Sequence, residues 1–423
     1  MPVGVAVDRL YLNETTLMRP LLKPAAAAIL VAIFAPVQLA AQQPVATTRP
    51  AERVKKKETV KVTPWLAVEA ELDNNVFLLT PARKDAVDNP SAADVASGRF
   101  AGMESASDVI AQARGGVGLE FDGLGGRALT LSPALQYDFY TRNNERSNLT
   151  ASVALAQALA RGMRTKLDVA YTPSYFRKNY LLDATDVNGD GRIAPEERRY
   201  APADYSAMDF ELAHRLRLKK SRKRSPLGAD LNLGAGYYTR SYDAPFAARD
   251  LSGPTFRATL DLASGNRLEL SGDYSLELLS GDEAQTVLIL DEADAGTDLN
   301  GNGTVTDPEV RTVQLVDRSR REHELTFGAR LGVARRTDLR FAYGLRLRDY
   351  LSDLPLDLAH RARRDTRHEL RGELSTRVAR GTRFTTGARY AKQTANRLVD
   401  SDQTDEAADY SRLRAFAGLR VEF

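Results

Sequence analysis

The 423-residue chain has no cysteine and only four histidines. The lack of cysteine excludes a disulfide framework, a thiolate zinc site and a cysteine nucleophile. An excess of charge of one sign is also missing, because 59 basic and 56 acidic residues leave a net charge of +3. A dedicated nucleic-acid-binding protein concentrates basic residues on one surface. We therefore expect no nucleic-acid partner.

Hydrophobic residues are too few and too dispersed for a helical membrane protein. They make up 43% of the chain, charged residues make up 27%, and the mean hydropathy is −0.37. The same composition is too apolar for a disordered chain. A length of 423 residues fits two or three ordinary domains or one large all-β unit.

The N-terminal region has the order of parts found in a secretory signal peptide. Arg19 and Lys23 precede an apolar run over residues 25–37, which is too short to span a bilayer and is followed by small residues. The sequence predicts a signal peptide over residues 1–41, with Met18 as the natural start. The alternative interpretation is a buried helix of a cytosolic protein.

The rest of the chain divides into a short polar segment and a long alternating one. Residues 42–61 are rich in Pro, Thr, Ala and Lys and have no apolar periodicity, which predicts a periplasmic tail of low order. From residue 62 to residue 423, apolar and polar residues alternate in segment after segment. A period of two predicts β-strands with one wholly polar face.

The alternating segments number 14, although strand ends are uncertain enough that any even number from 12 to 16 fits. They cover about residues 62–72, 108–122, 127–140, 148–159, 164–178, 207–219, 229–242, 251–263, 267–279, 318–333, 338–350, 364–378, 383–397 and 409–423. Short links alternate with long ones, which predicts tight turns at one end of a barrel and long extracellular loops at the other. The expected fold is all-β, an antiparallel up-and-down transmembrane barrel. Closure is required because an open edge in lipid would leave backbone groups unpaired.

A soluble β-sandwich shows a similar alternation, and it is the competing interpretation. Two features favour the membrane barrel: charges recur at nearly every second position along whole strands, and aromatic residues collect near strand ends, as membrane girdles require. The expected girdle residues are Tyr137, Phe139, Tyr171, Tyr175, Tyr237, Tyr343 and Tyr390 on the surface side, and Phe121, Phe384 and Phe423 on the periplasmic side.

The final strand has the pattern most typical of a known family. Residues 410–423 alternate apolar and polar positions and end on Phe423. They resemble the terminal strand of Gram-negative, porin-like outer-membrane β-barrels, and the resemblance in pattern covers residues 62–423. It implies a location in the cell outer membrane, contact with outer-membrane lipid, and recognition by the barrel-assembly machinery. We expect this strand to pair with the strand near Trp65.

Two loops, residues 186–197 and 298–309, match the pattern D-x-[DN]-x-[DN]-G with Glu at position 12. Calcium takes six to eight oxygen ligands, and glycine at position 6 permits the sharp turn around the ion. Both loops resemble the EF-hand loop, especially its dockerin-like form. The resemblance implies calcium (Ca²⁺) ligands at Asp186, Asn188, Asp190, the Arg192 carbonyl and Glu197, and at Asp298, Asn300, Asn302, the Thr304 carbonyl and Glu309.

The flanks of both loops depart from the EF-hand pattern, because neither side shows helical amphipathicity. An ordinary Asp/Asn/Gly-rich surface turn is therefore the alternative. Calcium at these loops is expected to order the surface of the barrel. The first loop has three carboxylates among its ligands and the second has two, so the first site is predicted to be the tighter.

Arginine dominates the inward positions of the last strands, and rows of charge around a pore bias ion traffic. The predicted lumen-lining residues are Arg330, Arg340, Arg346, Arg348, Arg371, Arg377, Arg389, Arg412, Arg414 and Arg420. They predict a mild anion preference. The alternative is that these charges mostly pair across strands with Glu322, Glu324, Glu369 and Glu373.

No catalytic constellation stands out among the histidines and their neighbours, so we expect no enzyme. The sequence favours a porin-like channel for small hydrophilic solutes or ions with calcium-ordered surface loops. The alternative function is a structural, surface-binding or assembly barrel with a plugged lumen, which would contact polysaccharide or a partner protein.

Overall fold

A computed structural model describes most of the chain from residue 60 onward. The described residues are 60–187, 189, 193–219, 227–265, 267–291, 298, 303–305, 309–396 and 409–423. The predicted signal peptide, residues 1–41, lies outside them and stays a prediction. Of the predicted periplasmic tail, only Val60 and Lys61 are described, and they begin the first strand.

Fourteen of the sixteen strands in the described part of the chain form one closed antiparallel barrel, as the alternation predicts. Each strand pairs with its neighbours in sequence, except that β9 pairs directly with β12. The strands are β1 (Val60–Asp73), β2 (Asp108–Asp122), β3 (Ala128–Tyr140), β4 (Asn148–Ala160), β5 (Met163–Ala184), β6 (Arg198–Lys219), β7 (Leu227–Tyr242), β8 (Leu251–Ser264), β9 (Leu268–Leu279), β10 (Ala284–Asp291), β11 (Glu309–Val316), β12 (Arg320–Ala334), β13 (Thr337–Tyr350), β14 (Arg364–Ala379), β15 (Thr382–Asn396) and β16 (Tyr410–Glu422).

The barrel closes between its first and last strands. β1 and β16 are antiparallel, in a register that runs from Trp65 opposite Glu422 to Asp73 opposite Arg414. The backbone N–H of Phe423 donates to the Pro64 carbonyl at 3.0 Å. The expected pairing of the terminal strand with the strand near Trp65 is therefore confirmed. Closure removes the free edges that lipid cannot satisfy.

The two faces of the wall differ sharply in polarity. Outward side chains are large, apolar and exposed: Leu72 and Phe327 are each 59% exposed, and Leu370 is 57% exposed. Inward neighbours are charged, such as Glu71 and Glu373. A continuous apolar outer surface is unstable in water but matches lipid. The barrel therefore spans a membrane, and a closed antiparallel barrel with this polarity is an outer-membrane protein.

Short turns lie at one end of the barrel and long connections at the other, which we call the long-loop end. Gly162 and Gly381 adopt positive φ angles of 84° and 74° in two of the tight turns. The connection 74–107 contains α1 (Pro81–Asp88) and α2 (Ala92–Ser97), and α2 begins with a capping box formed by Ser91 and Asp94. No helix in the described ranges is long and apolar enough to cross a membrane.

The long-loop end contains structure that the alternation did not predict. β10 and β11 form a separate two-stranded hairpin within the link between β9 and β12, which we expected to be loop. β5 and β6 are each 22 residues long and extend past the predicted strand ends. This is more than the roughly 9–11 residues that a strand needs to cross the hydrocarbon core. Their outer parts therefore stand above the membrane.

One predicted girdle residue is on the wrong face. Pro173 cannot donate to a strand ladder, and the pairing of β5 with β6 is irregular between Thr172 and Tyr175. The irregularity reverses the alternation. Tyr175, predicted to face lipid, instead lies against the buried Arg146, whose Cζ is 4.8 Å from the ring centroid.

Candidate functional site: the arginine-lined lumen

The connection 74–107 packs against the inner wall of the barrel. It forms an apolar cluster with residues that point inward from β2, β3 and β5. The members are Val76, Phe77, Leu79, Val87, Met103, Ala106, Ile110, Tyr140 and Phe176. Phe77 meets Phe176 edge to face, with ring centroids 6.3 Å apart. The connection therefore occupies part of the bore at the long-loop end.

Buried polar side chains hold this connection in place. The fully buried Asn143 accepts a hydrogen bond from the Glu104 backbone N–H at 2.9 Å through Oδ1. Its Nδ2 donates to the Asp108 carboxylate at 2.9 Å. Asn179 Nδ2 donates to the Ala101 carbonyl at 2.8 Å. Because buried amides are costly to leave unpaired, these contacts fix the path of the connection inside the bore.

A cavity of about 250 Å³ lies beside this connection, and we call it the basic chamber. Phe77 and Leu78 line it from the connection, and strand and loop side chains from around the barrel line the rest. No Asp or Glu lies among the described residues that line it. Its cations are Arg177, Lys178, Arg240, Arg249, Arg318, Arg320, Arg346, Arg348 and Arg367.

Tyrosine rings support several of these cations. The Cζ of Arg249 lies 3.4 Å from the ring centroid of Tyr180. The Cζ of Arg240 lies 5.4 Å and 5.5 Å from the rings of Tyr242 and Tyr205. Stacking of this kind uses the flat face of the guanidinium and leaves its in-plane N–H groups for other partners.

Some of those N–H groups lack a partner. The Nε atoms of Arg240 and Arg320 are buried and make no hydrogen bond to any residue in the described ranges. Arg320 Nε lies 3.9 Å from Glu322 Oε2, which is beyond hydrogen-bond distance. Unsatisfied charged donors are expensive to bury. The guanidinium groups of Arg240 and Arg320, which line the chamber, are therefore not fully satisfied by the described residues.

The predicted lumen arginines are mostly neutralised by carboxylates. Eight of the ten make ion pairs within the described ranges: Arg330 with Glu269 and Asp338, Arg340 and Arg371 with Glu373, Arg346 with Glu322 and Glu324, Arg348 with Glu322, Arg412 with Asp73, Arg414 with Glu71, and Arg420 with Glu422. Most of these pairs cross strands, as in the alternative weighed for this wall, with Glu322, Glu324 and Glu373 among the partners. Arg371 and Arg420 instead pair with a glutamate two residues further along their own strand.

The two remaining arginines differ from each other. Arg389 stacks on Phe416, with Cζ 5.3 Å from the ring centroid, and its buried Nε has no hydrogen-bond partner in the described part of the chain. Arg377 is exposed and makes no ion pair with a described residue. Only Arg346 and Arg348 of the predicted ten also line the basic chamber.

The described parts of the two predicted calcium loops have turn geometry. Asp186 accepts a hydrogen bond from the Gly189 N–H, and Asp298 accepts one from the Gly303 N–H, each at 2.6 Å. Glu197 accepts from the backbone N–H groups of residues 187 and 194, each at 2.8 Å. Thr304 is described; Asn188, Asp190, Arg192, Asn300, Asn302 and the Glu309 side chain lie outside the described part. No group of three or more potential metal-binding side chains occurs among the described residues.

The first of these loops packs on the hairpin that carries the second. Ile193, which is 4% exposed, is clustered with Ala184, Leu181 and Val287. Val287 belongs to β10, whereas residues 298–309 connect β10 to β11. The first loop therefore contacts a strand of the hairpin whose two strands the second loop connects.

No protein-family model matches the chain, and no curated protein matches it. The anion-selective porin from Comamonas acidovorans is 11% identical with a TM-score of 0.36, covering 86% of this chain and 99% of the porin. The Ralstonia pickettii toluene transporter TbuX is 10% identical with a TM-score of 0.41, over 86% of this chain and 89% of the transporter. OmpTdeltaL8, a loop L8 deletion mutant of the Vibrio cholerae outer membrane protein OmpT, is 9% identical with a TM-score of 0.40, covering 86% of this chain and 100% of OmpTdeltaL8. Such low similarity assigns no substrate.

Three of the four histidines pair with hydroxyl groups. His214 contacts Thr165 at 2.9 Å, His323 contacts Tyr274 at 2.9 Å, and His368 contacts Tyr343 at 2.8 Å. The fourth, His360, is 1% exposed and its Nδ1 lies 2.9 Å from Asp357 Oδ1. These contacts give each imidazole a structural partner, and the prediction that the protein is not an enzyme stands as a prediction.

Sequence reasoning missed most of the basic chamber. Arg177, Arg240, Arg249, Arg318 and Arg320 lie at strand ends or in connections at the long-loop end, where alternation is weakest. A usable signal was present in the interleaving of arginine with tyrosine. The segments 175–180 and 237–242 each carry arginine between aromatic residues.

Proposed function

We propose that the protein is an outer-membrane channel for small hydrophilic solutes or ions, that it prefers anions, and that calcium orders its surface loops. The observation that carries the anion preference is the basic chamber. It lies within the bore, and its described lining contains nine cations and no carboxylate. A ring of fixed positive charge at a constriction raises the local concentration of anions and repels cations.

Planar-bilayer recording of the purified barrel tests this proposal. A potassium chloride gradient across the bilayer gives a reversal potential whose sign reports the preferred ion. We expect steady single channels whose reversal potential has the sign of the chloride equilibrium potential. A cation-selective channel would contradict the anion preference.

The calcium proposal rests on the match of both loops to the calcium pattern. In support, the positive φ of Gly303, 83°, provides the turn required at position 6 of the second loop. The sites should be of the weak extracellular type, with dissociation constants of the order of 10⁻⁴–10⁻³ M. Glu197→Gln should weaken binding at the first loop, and Glu196→Gln, next to it and outside the ligand set, is the matched control. Titration calorimetry without calcium uptake would contradict the proposal.

A plugged barrel with a surface-binding or assembly role is the second candidate, and the connection 74–107 favours it because it enters the bore. A plugged barrel gives no steady conductance. If Phe77→Ala, which removes an aromatic anchor of the connection, opened a channel absent from the native protein, the plugged barrel would be the better description.

The barrel-assembly machinery is the proposed partner during biogenesis. The alternation in β16 and its pairing with β1 support this proposal. Deletion of Phe423 should lower the yield of folded barrel in the outer membrane, whereas Phe384→Leu on the neighbouring strand should not.

A further inference from the structure

The basic chamber is crowded with positive charge. Nine cations line a space of about 250 Å³. Glu322 lies behind this lining, with distances of 3.1 Å to Arg346, 2.7 Å to Arg348 and 3.9 Å to Arg320. Glu324 also pairs with Arg346, and Glu369 pairs with Arg367. Arg177 and Arg240 have no carboxylate of the described residues within ion-pair distance, so at least two positive charges of the lining are uncompensated.

The chamber is also built for recognition through oxygen. Arg240 and Arg249 cover the faces of Tyr242 and Tyr180, so these rings offer little surface on which an aromatic ligand could stack. The buried Nε groups of Arg240 and Arg320 lack hydrogen-bond partners within the described residues. Planar guanidinium groups match the geometry of carboxylate and phosphate oxygens. A single chloride cannot satisfy donors on several walls at once.

We propose that the basic chamber is a selective binding site for a small oxyanion that carries two or more negative charges on carboxylate or phosphate groups. This inference rests on the proposed anion channel and names the class of solute that the channel takes. Several oxygens on one small molecule can accept hydrogen bonds from opposite walls. Such an anion also relieves the repulsion among the cations, so binding should stabilise the folded barrel.

Channel block is the first test. Single channels are recorded in potassium chloride, and citrate, inorganic phosphate or acetate is then added on the long-loop side. We expect citrate and phosphate to reduce chloride current and acetate to have little effect. The half-blocking concentration of citrate should be at least about tenfold below that of acetate, because one additional charge-assisted hydrogen bond contributes about that factor. Comparing the half-blocking concentrations of citrate and phosphate distinguishes a preference for carboxylates from a preference for phosphate.

Titration calorimetry on the detergent-solubilised barrel is the second test and does not depend on conductance. Arg240→Gln and Arg320→Gln should each weaken citrate binding about tenfold, by loss of a charge-assisted contact. Arg330→Gln is the matched control, because Arg330 is paired with Glu269 and Asp338 outside the chamber. It should change citrate affinity less than about twofold.

The outcomes separate the inference from the proposed function. A barrel that conducts chloride but neither binds citrate nor is blocked by it overturns the inference and leaves the channel standing. If the barrel binds citrate and Arg240→Gln weakens this binding, but no conductance is recorded, the binding site is supported and the proposed channel is overturned. Equal affinity for citrate and acetate in the native protein also overturns the inference, and needs no variant to fold.

Discussion

Arginine lies in two regions of the same barrel interior and has different neighbours in each. Along the wall formed by the last strands, carboxylates on the same or the adjacent strand neutralise it, as Glu373 does for Arg371 and Arg340. In the basic chamber, tyrosine rings support it and carboxylates are missing from the described lining. We therefore expect the paired arginines of the wall to hold strands together, and the chamber arginine Arg240, which has no ion pair with a described residue, to act on solutes.

If the barrel conducts, we expect its selectivity to depend on which arginines lack a carboxylate partner, and not on how many arginines line the pore. A paired arginine contributes little field at a distance because its partner cancels it. An unneutralised arginine inside a low-dielectric wall acts strongly on a passing ion. Substitutions in the wall are thus expected to change mainly the stability of the barrel. Substitutions in the basic chamber are expected to change mainly its ion selectivity.

The largest expected effect is at the wall. Asp73→Asn removes the carboxylate that accepts from Arg412 Nε at 2.8 Å, and Asp73 is only 2% exposed. Breaking a buried pair leaves an uncompensated charge, so the free energy of unfolding should fall by about 3–5 kcal/mol. Urea unfolding in lipid vesicles measures it. Arg330→Gln, which breaks a pair that is 40% exposed on the arginine side, should cost about 0–1 kcal/mol. Equal losses would remove the distinction between buried and exposed pairs.

The connection inside the bore should give the next largest effect. Phe77→Ala deletes a ring that is 3% exposed and packed on Phe176. Deleting a buried phenylalanine costs about 3–5 kcal/mol in a cooperative core, and here the cost falls on the connection alone, since the strand ladders remain. Limited proteolysis at the long-loop end should become faster while the barrel stays intact. Val95→Ala, at a residue 66% exposed in the same connection, is the control that should change nothing.

Inverting one charge in the chamber should alter selectivity without loss of stability. Arg240→Glu should shift the reversal potential toward that of a cation-selective channel. The chloride-to-potassium permeability ratio should fall several-fold, since about 1 kcal/mol of interaction corresponds to a factor of roughly five. Arg340→Gln on the paired wall should leave the reversal potential within error. A larger shift from Arg340→Gln than from Arg240→Glu would reverse the roles assigned to the two regions.

The smallest effect expected is a pH dependence in the connection 351–363. Burial raises the pKa of Asp357, but hydrogen bonds from His360 and the Asp317 N–H outweigh it and hold the pKa below its usual value. A depressed carboxyl pKa stabilises the fold above the ordinary pKa near 3.8 and loses that contribution as pH falls through the lowered value. Pepsin, active in acid, should therefore cut this connection only below about pH 3.8. In Asp357→Asn, cutting should no longer depend on pH in this range.

Much of the barrel follows from local sequence. Alternation in segments such as 338–350 predicts a strand with one lipid face because the side-chain period is fixed at two. The even strand number, the short turns and the closing pair of β1 with β16 follow from the same pattern and from the requirement for closure. These features depend on nearest neighbours in the chain, which a single sequence contains.

The site depends on register and on loop packing, which the alternation does not determine. Arg340 lies opposite Glu373 because of the pairing of β13 with β14, and a shift of two residues would preserve the alternation while changing every ion pair. The irregularity at Pro173 moved Tyr175 to the interior. Phe77 reaches the chamber through a connection of 34 residues whose path no strand pattern specifies.

The hairpin β10–β11 offers a place to modify this protein. β9 pairs with β12 as if the hairpin were absent, from Leu279 opposite Arg320 onward. The two ends of the segment that carries the hairpin are hydrogen-bonded to each other, because the Gly281 N–H donates to Ser319 Oγ at 3.1 Å. The barrel wall is thus complete without residues 284–316. A foreign epitope or an enzyme domain grafted there would be displayed on the cell surface, on a scaffold that does not rely on the exchanged segment for closure.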